Sequence, residues 1–188
     1  GFFKRAGDLS VMQQGQVAYA SATGIAMRSL ANDITAATGA QITFRDASQA
    51  AAIGTAAGLS TDQLTRLGKA AKDASAVLGR DVTDAFNRLV RGVTKAEPEL
   101  LDELGIILRL DTASENYART LGLTKDQLTQ FQKSQAVANE VLSQAETKYS
   151  AILAVTGGGA VNQFAKLGKS MDDVVMTIQN ALLPVAKF

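Results

Sequence analysis

The sequence predicts an all-α protein, with long helices arranged around a compact helical region. Three observations carry that prediction. Apolar residues recur at three- and four-residue spacing in one segment after another, as they do on helices with one buried face. The segments begin at Ser/Thr-x-x-Gln or Asp and stop at Gly, which is the chemistry of helix ends. Aromatic residues make up only 5% of the 188, while Gly alone numbers 16. That balance suits closely apposed helices better than a sheet sandwich.

Residues 9–38 form the first predicted helix, in which Ala18, Ala20, Ala22, Gly24 and Ala26 would let a neighbouring helix approach closely. It should stop at Thr38-Gly39, where glycine suits a left-handed residue. Gln41 to Phe44 alternate as a short strand would, and the only matching stretch is 106–110, Ile-Ile-Leu-Arg-Leu. An isolated pair of strands is marginal, so such a pair must lie against helices. An Ala-rich helix over 46–57 closes at Gly58. Ser60 and Gln63 then form a capping box for a helix carrying Leu64, Leu67, Ala71, Ala74 and Leu78, which stops at Gly79. Asp81 caps the next, with Val82, Phe86, Leu89, Val90 and Val93 inward and Arg88 and Arg91 outward.

A further helix at about 112–121 ends at Gly122, and Thr124 with Gln127 repeats the capping box. The most regular stripe follows: Leu128, Phe131, Gln135, Ala138, Leu142, Ala145, Tyr149 and Ile152. Its spacing is compatible with an intersubunit coiled coil in which Gln135 sets the register. It is equally compatible with a helix lying on its own domain, and the small Ala138 and Ala145 favour that reading. Leu128, Phe131, Leu142, Tyr149 and Ile152 are therefore the candidate helix-association residues. Arg88 and Arg91 are the candidates for a partner-facing basic patch. Thr156-Gly157-Gly158-Gly159 breaks the pattern as a hinge, and apolar helices over 161–169 and 171–187 follow, with Pro184 kinking or ending the last. The chain thus divides into a leading helix (1–40), a compact helical domain (41–156), and a hinge with a trailing apolar helix (157–188). It starts at Gly1 and stops within an apolar run, so the expectation is part of a longer product.

Composition removes most chemistry. There is no Cys and no His, so thiol nucleophiles, Ser-His-Asp triads and HExxH zinc sites are excluded. A net charge of +1 with dispersed Lys and Arg gives no field for nucleic acid. Thr-Gly-Gly-Gly-Ala lacks the Lys-Ser/Thr of a phosphate loop. Residues 9–27 and 174–186 carry no charge, but the glutamines, glycines and hydroxyls of the first favour packing on other helices over a membrane span.

The sharpest question is the acidic run Glu97-Pro98-Glu99-Leu100-Leu101-Asp102-Glu103. Four carboxylates could be an acid–base pair or a metal cage. Pro98, however, suits the first position of a helix, and Glu97 and Glu99 suit its positive end. Leu100, Leu101 and Leu104 supply a buried side, and Gly105 a stop. A Ca²⁺ loop would need alternating acids and a Gly turn where Leu100-Leu101 sits. The run reads as a helix start, with no catalytic residue, no metal ligand and no cofactor.

Residues 85–106, AFNRLVRGVTKAEPELLDELGI, followed by YARTLG at 117–122, LTQFQKSQA at 128–136 and NEVL at 139–142, resemble in order and spacing a region of the tail tape measure proteins of long-tailed bacteriophages. The resemblance covers roughly 40–155. It implies a virion protein of the phage tail, in the tube interior or at the tip, that sets tail length during assembly and assists genome ejection. It further implies tail-tube and tail-tip or baseplate proteins as partners, several copies with a trimer favoured, and host membrane contact during ejection. At about 1.5 Å per residue, 188 residues of helix would span about 280 Å, but the glycine stops make this stretch a folded station along such a ruler. The Glu-Ser signature of one peptidoglycan-cleaving type in that family is absent, since no Glu is followed by Ser. Two alternatives stand beside it. One is a membrane-active helical module resting on 9–27 and 174–186. The other is a non-viral scaffold or coiled-coil adaptor resting on the 128–152 stripe.

Overall fold

The computed structural model describes residues 23–156, and every regular element among them is helical. Helix α1 covers 23–37, α2 Phe44–Ala56, α3 Thr61–Leu78, α4 Val82–Thr94, α5 Pro98–Asp102, α6 Leu110–Thr120 and α7 Gln130–Thr156, with one 3-10 turn at Lys125–Gln127. The glycine hinge, the trailing helix and residues 1–22 of the leading helix lie outside the described residues.

The helix ends follow local chemistry. Ser60 Oγ accepts from the Gln63 N–H (3.1 Å), and Gln63 Oε1 accepts from the Ser60 N–H (3.0 Å), closing the expected box on α3. Asp81 Oδ2 accepts from the Asp84 N–H (3.1 Å) to open α4, and Pro98 takes the first position of α5. At the end of α4 no glycine is on offer, so Ala96 takes the left-handed conformation (φ 50°). There the Glu97 N–H reaches back to Gly92 O at 3.0 Å, a Schellman closure normally made with Gly.

Helices α3, α4 and α7 enclose the core, with Leu64, Leu67, Phe86, Leu89, Leu142 and Ile152 all fully buried. The last turns of α1 enter the same core through Leu30, Ala31 and Ile34. Close approach is built in where side chains are missing. A Cβ added at Gly54 would fall inside Leu64, and one added at Gly92 would meet Leu101 Cδ2 at 2.6 Å.

Two local expectations need correction. The strand pair at 41–44 with 106–110 does not form: Thr43 caps α2 by accepting from the Asp46 N–H (3.1 Å), which makes Phe44 helical, and Leu110 opens α6. Residues 106–109 still alternate like a strand, with Ile106 and Leu108 buried and Ile107 exposed. What replaces the partner strand is a side chain of α7, described below. The second correction concerns Thr124. Gln127 does reach back to the Thr124 N–H (2.9 Å), but the box opens only the 3-10 turn. Leu128 is extended (ψ 136°), and a second reciprocal pair, Thr129 and Gln132, opens α7 at 3.1 and 2.9 Å.

Candidate functional site on the long helix

Helix α7 carries the polar machinery of the molecule. Gln144 and Lys148 are four residues apart and share one face of the helix, and Tyr149 follows Lys148 on the side turned into the core. Tyr149 Oη donates to Leu104 O (2.6 Å), Lys148 Nζ to Gly105 O (2.8 Å), and Gln144 Nε2 to Ile107 O (2.7 Å). Gln144 Oε1 also accepts from the Ile107 N–H at 2.9 Å. One amide thereby satisfies both backbone groups of one residue, as a neighbouring strand would. Burial pushes the Tyr149 phenol well above its ordinary value, so it stays a donor. Leu104, Gly105 and Ile107 are each strapped to α7 by its side chains.

Nearer the start of α7 a second polar joint gathers. Gln63 is buried, and its Nε2 donates to Asn139 Oδ1 (2.8 Å) and Gln135 O (3.1 Å). Gln135 donates to Gly58 O (2.9 Å) and accepts from Tyr117 Oη (2.6 Å). Four elements therefore meet on Gln135: the turn after α2, α3, α6 and α7 itself. Further along, Arg66 donates to both oxygens of Glu146 at 2.7 and 2.8 Å, a two-pronged bridge from α3 to α7. The hydrogen bond from Arg66 holds the Glu146 carboxyl below the usual range, and the same bond raises the Arg66 guanidinium.

The acidic run is assembled differently. Glu99 and Asp102 are exposed, and the four carboxylates do not converge. Glu103 Oε2 instead accepts from Arg80 (3.0 Å) and Arg88 (2.9 Å), while Asp84 Oδ2 accepts from the same two arginines at 3.2 and 3.1 Å. This closed ring of two arginines and two acids ties the end of α5 to the start of α4. Among the described residues no group of three or more acidic side chains could hold a metal ion. Nor is any helix there long and apolar enough to cross a membrane; residues 9–22 and 174–186, on which that reading rests, lie outside.

The stripe residues part company. Leu142, Tyr149 and Ile152 are fully buried in the chain's own core, and Leu128 is nearly so. Phe131 is 57% exposed, with its ring over Gly58. Gln135 fixes register within one chain, through Gly58 and Tyr117, rather than facing a copy of itself. Arg88 is half-buried inside the ion ring, not part of an open basic face. Arg91, one turn on, is exposed.

No protein-family model and no solved structure matches the chain. The residues that sequence reasoning passed over are Gln144 and Lys148, which carried no signal. Gln63, read as the third residue of a capping box, and Glu103, read as part of a helix start, were each given only half of their work.

Proposed function

We propose that the chain is a folded, non-catalytic station of a phage tail tape measure protein, acting by holding position within the tail rather than by turning over substrate. The observation that carries this reading is where the residues of the resemblance sit. The stretches 85–106, 117–122 and 128–142 supply residues to each of the joints: Arg88 and Glu103 to the ion ring, Leu104 and Gly105 to the straps from Lys148 and Tyr149, Tyr117 and Gln135 to each other. Their shared role is mechanical, and the run that could have been an acid–base pair is engaged in helix ends and ion pairs. Copies of the chain would associate through surfaces other than Leu142, Tyr149 and Ile152, which the core already uses. Arg91 and Phe131, both exposed, are the residues left to face tail-tube or tail-tip proteins.

The test is made on particles of the phage that encodes the chain. Mass spectrometry should find the chain in intact particles and lose it from particles that have ejected their DNA. In-frame deletions elsewhere in the full product should shorten the tail by about 1.5 Å per residue removed. A chain absent from particles, or tails indifferent to those deletions, would overturn the reading. Leakage of liposomes by the full product, with tails unchanged, would favour the membrane-active module.

A further inference from the structure

Helix α6 has a slight footing. It rests chiefly on α7, and the residues it buries completely are two alanines, Ala113 and Ala118; α2 also buries only small residues, but it packs on both α3 and α4. Open clefts flank it on both sides. One, of about 190 Å³, is lined by Asn116, Tyr117 and Thr120 from α6 and by Asn139, Glu140 and Ser143 from α7. The other, of about 240 Å³, runs under Leu110 and Ser114 beside the end of α4 and the start of α7. Between the clefts, Tyr117 to Gln135 is the side-chain hydrogen bond that ties α6 to α7. The ion pairs of this region, Lys125 with Asp111 and Glu115 (both 3.6 Å), are internal to residues 110–127 and would travel with them.

Both ends are prepared for movement. Arg109, before the helix, makes no side-chain cap. Upstream, the straps from Gln144, Lys148 and Tyr149 hold 104–107, so motion cannot spread into α5. Downstream, Gly122 is left-handed (φ 68°), and α7 has its own cap at Thr129. The side of α7 beneath the arm carries Ala136, Asn139 and Ser143 on one flank and Val137 on the other, so baring it exposes one large apolar side chain of α7 rather than a row of them. We propose that residues 110–127 form an arm that opens from α7 as one unit, up to the buried Leu128 that anchors its far end, while the rest of the described helices stay folded. This stands whether or not the chain belongs to a virion.

The chain has no cysteine, which allows native-state thiol labelling at chosen sites. Three single variants, Ala113→Cys, Ala118→Cys and, as the core reference, Ala74→Cys, place a thiol at buried positions. The two α6 thiols should react at a common rate at least ten-fold above that of Ala74→Cys, and with weaker dependence on denaturant. Amide exchange on the unaltered chain provides the same reading without substitution: amides across α6 should exchange together, ahead of those in α3. Rates matching the reference at all denaturant concentrations would show that α6 leaves only when the whole unit unfolds. A gradient from Ala113 to Ala118 would show fraying instead of an arm. Either result overturns the proposal.

Discussion

Helices α3 and α6 pack on the same partner, α7, and meet it in opposite ways. Helix α3 buries Leu64, Leu67 and Val77 in the core it shares with α7, and is tied to α7 by a buried amide and a two-pronged ion bridge. Helix α6 brings two alanines and one phenol. A buried Leu contributes roughly 1.5–3 kcal/mol and a single methylene-sized group about 0.8, so the two contacts differ several-fold in strength per helix. The lesson is that one long helix can serve both as the spine of a stable unit and as the seat of a weakly held one. Which role it plays is set by the residue sizes facing it.

Removing a core side chain from the strong face tests this most severely. Leu142→Ala should lose about 2–5 kcal/mol, because a fully buried Leu leaves both lost burial and a cavity. Leu121→Ala, exposed just past α6, should fall within about 0.5 kcal/mol of the parent. Urea unfolding of the two variants compares them directly. Near-equal losses would mean that the spine is not where burial places it.

Close approach comes next. Gly54→Ala gains helix propensity of up to about 1 kcal/mol, but its Cβ would lie inside Leu64, which is fully buried and cannot swing away. Overpacking of that kind costs about 1–3 kcal/mol, so net destabilisation is expected. Leu64→Ala in the same chain should relieve part of it. A Gly54→Ala chain more stable than the parent would show that α2 is free to shift off α3.

The straps come third. Gln144→Ala removes both hydrogen bonds to the Ile107 peptide, each worth about 0.5–1.5 kcal/mol; since Ile107 is exposed and water can replace part of them, a loss of about 1 kcal/mol is expected. More telling is where amide exchange quickens. It should rise across 104–109 as well as in α6, because the strap nearest the arm has gone and only those at Leu104 and Gly105 remain. Exchange unchanged at 104–109 would mean that Lys148 and Tyr149 suffice.

These contrasts also explain what could be read in advance. Caps and stops were legible because they are local: Ser60 with Gln63, Asp81, Pro98 and the glycines act within a turn of themselves. The all-α class and the inward stripe at Leu142, Tyr149 and Ile152 were legible from periodicity alone. The misreadings come from competition between similar signals. Thr124-x-x-Gln127 and Thr129-x-x-Gln132 are five residues apart, and only the bonding shows which one starts the long helix. The alternation at 106–108 was real, but alternation records which side is buried and not what bonds the backbone. A glutamine 37 positions later has no spacing rule that would reveal it. Arg88 faces outward along its helix, as its position implied, yet Glu103 arrives from another element to occupy it.

The smallest effect concerns acid, where two carboxylates near α3 act with opposite sign. Hydrogen bonding from Arg66 depresses Glu146 in the folded state. Glu146 therefore adds stability above its unfolded value, and the gain disappears as pH falls through the depressed folded one. Asp73 is raised, chiefly by burial, with Lys69 and Lys72 opposing and Glu146 assisting. Its contribution is favourable at low pH and is lost as pH rises through the raised value. Around the ordinary carboxylate range the two partly cancel. Glu146→Gln removes the first, and the exposed character of the pair limits the change to about 0.2–1 kcal/mol. It should shrink the loss of stability between about pH 6 and about pH 3, whereas Asp73→Asn should enlarge it. Because Glu146 also acts on Asp73, the double variant should depart from the sum of the single ones. Urea midpoints across that range decide it, and an acid limb unchanged by Glu146→Gln would remove the Arg66 bridge from the account of why α3 holds α7 more firmly than α6 does.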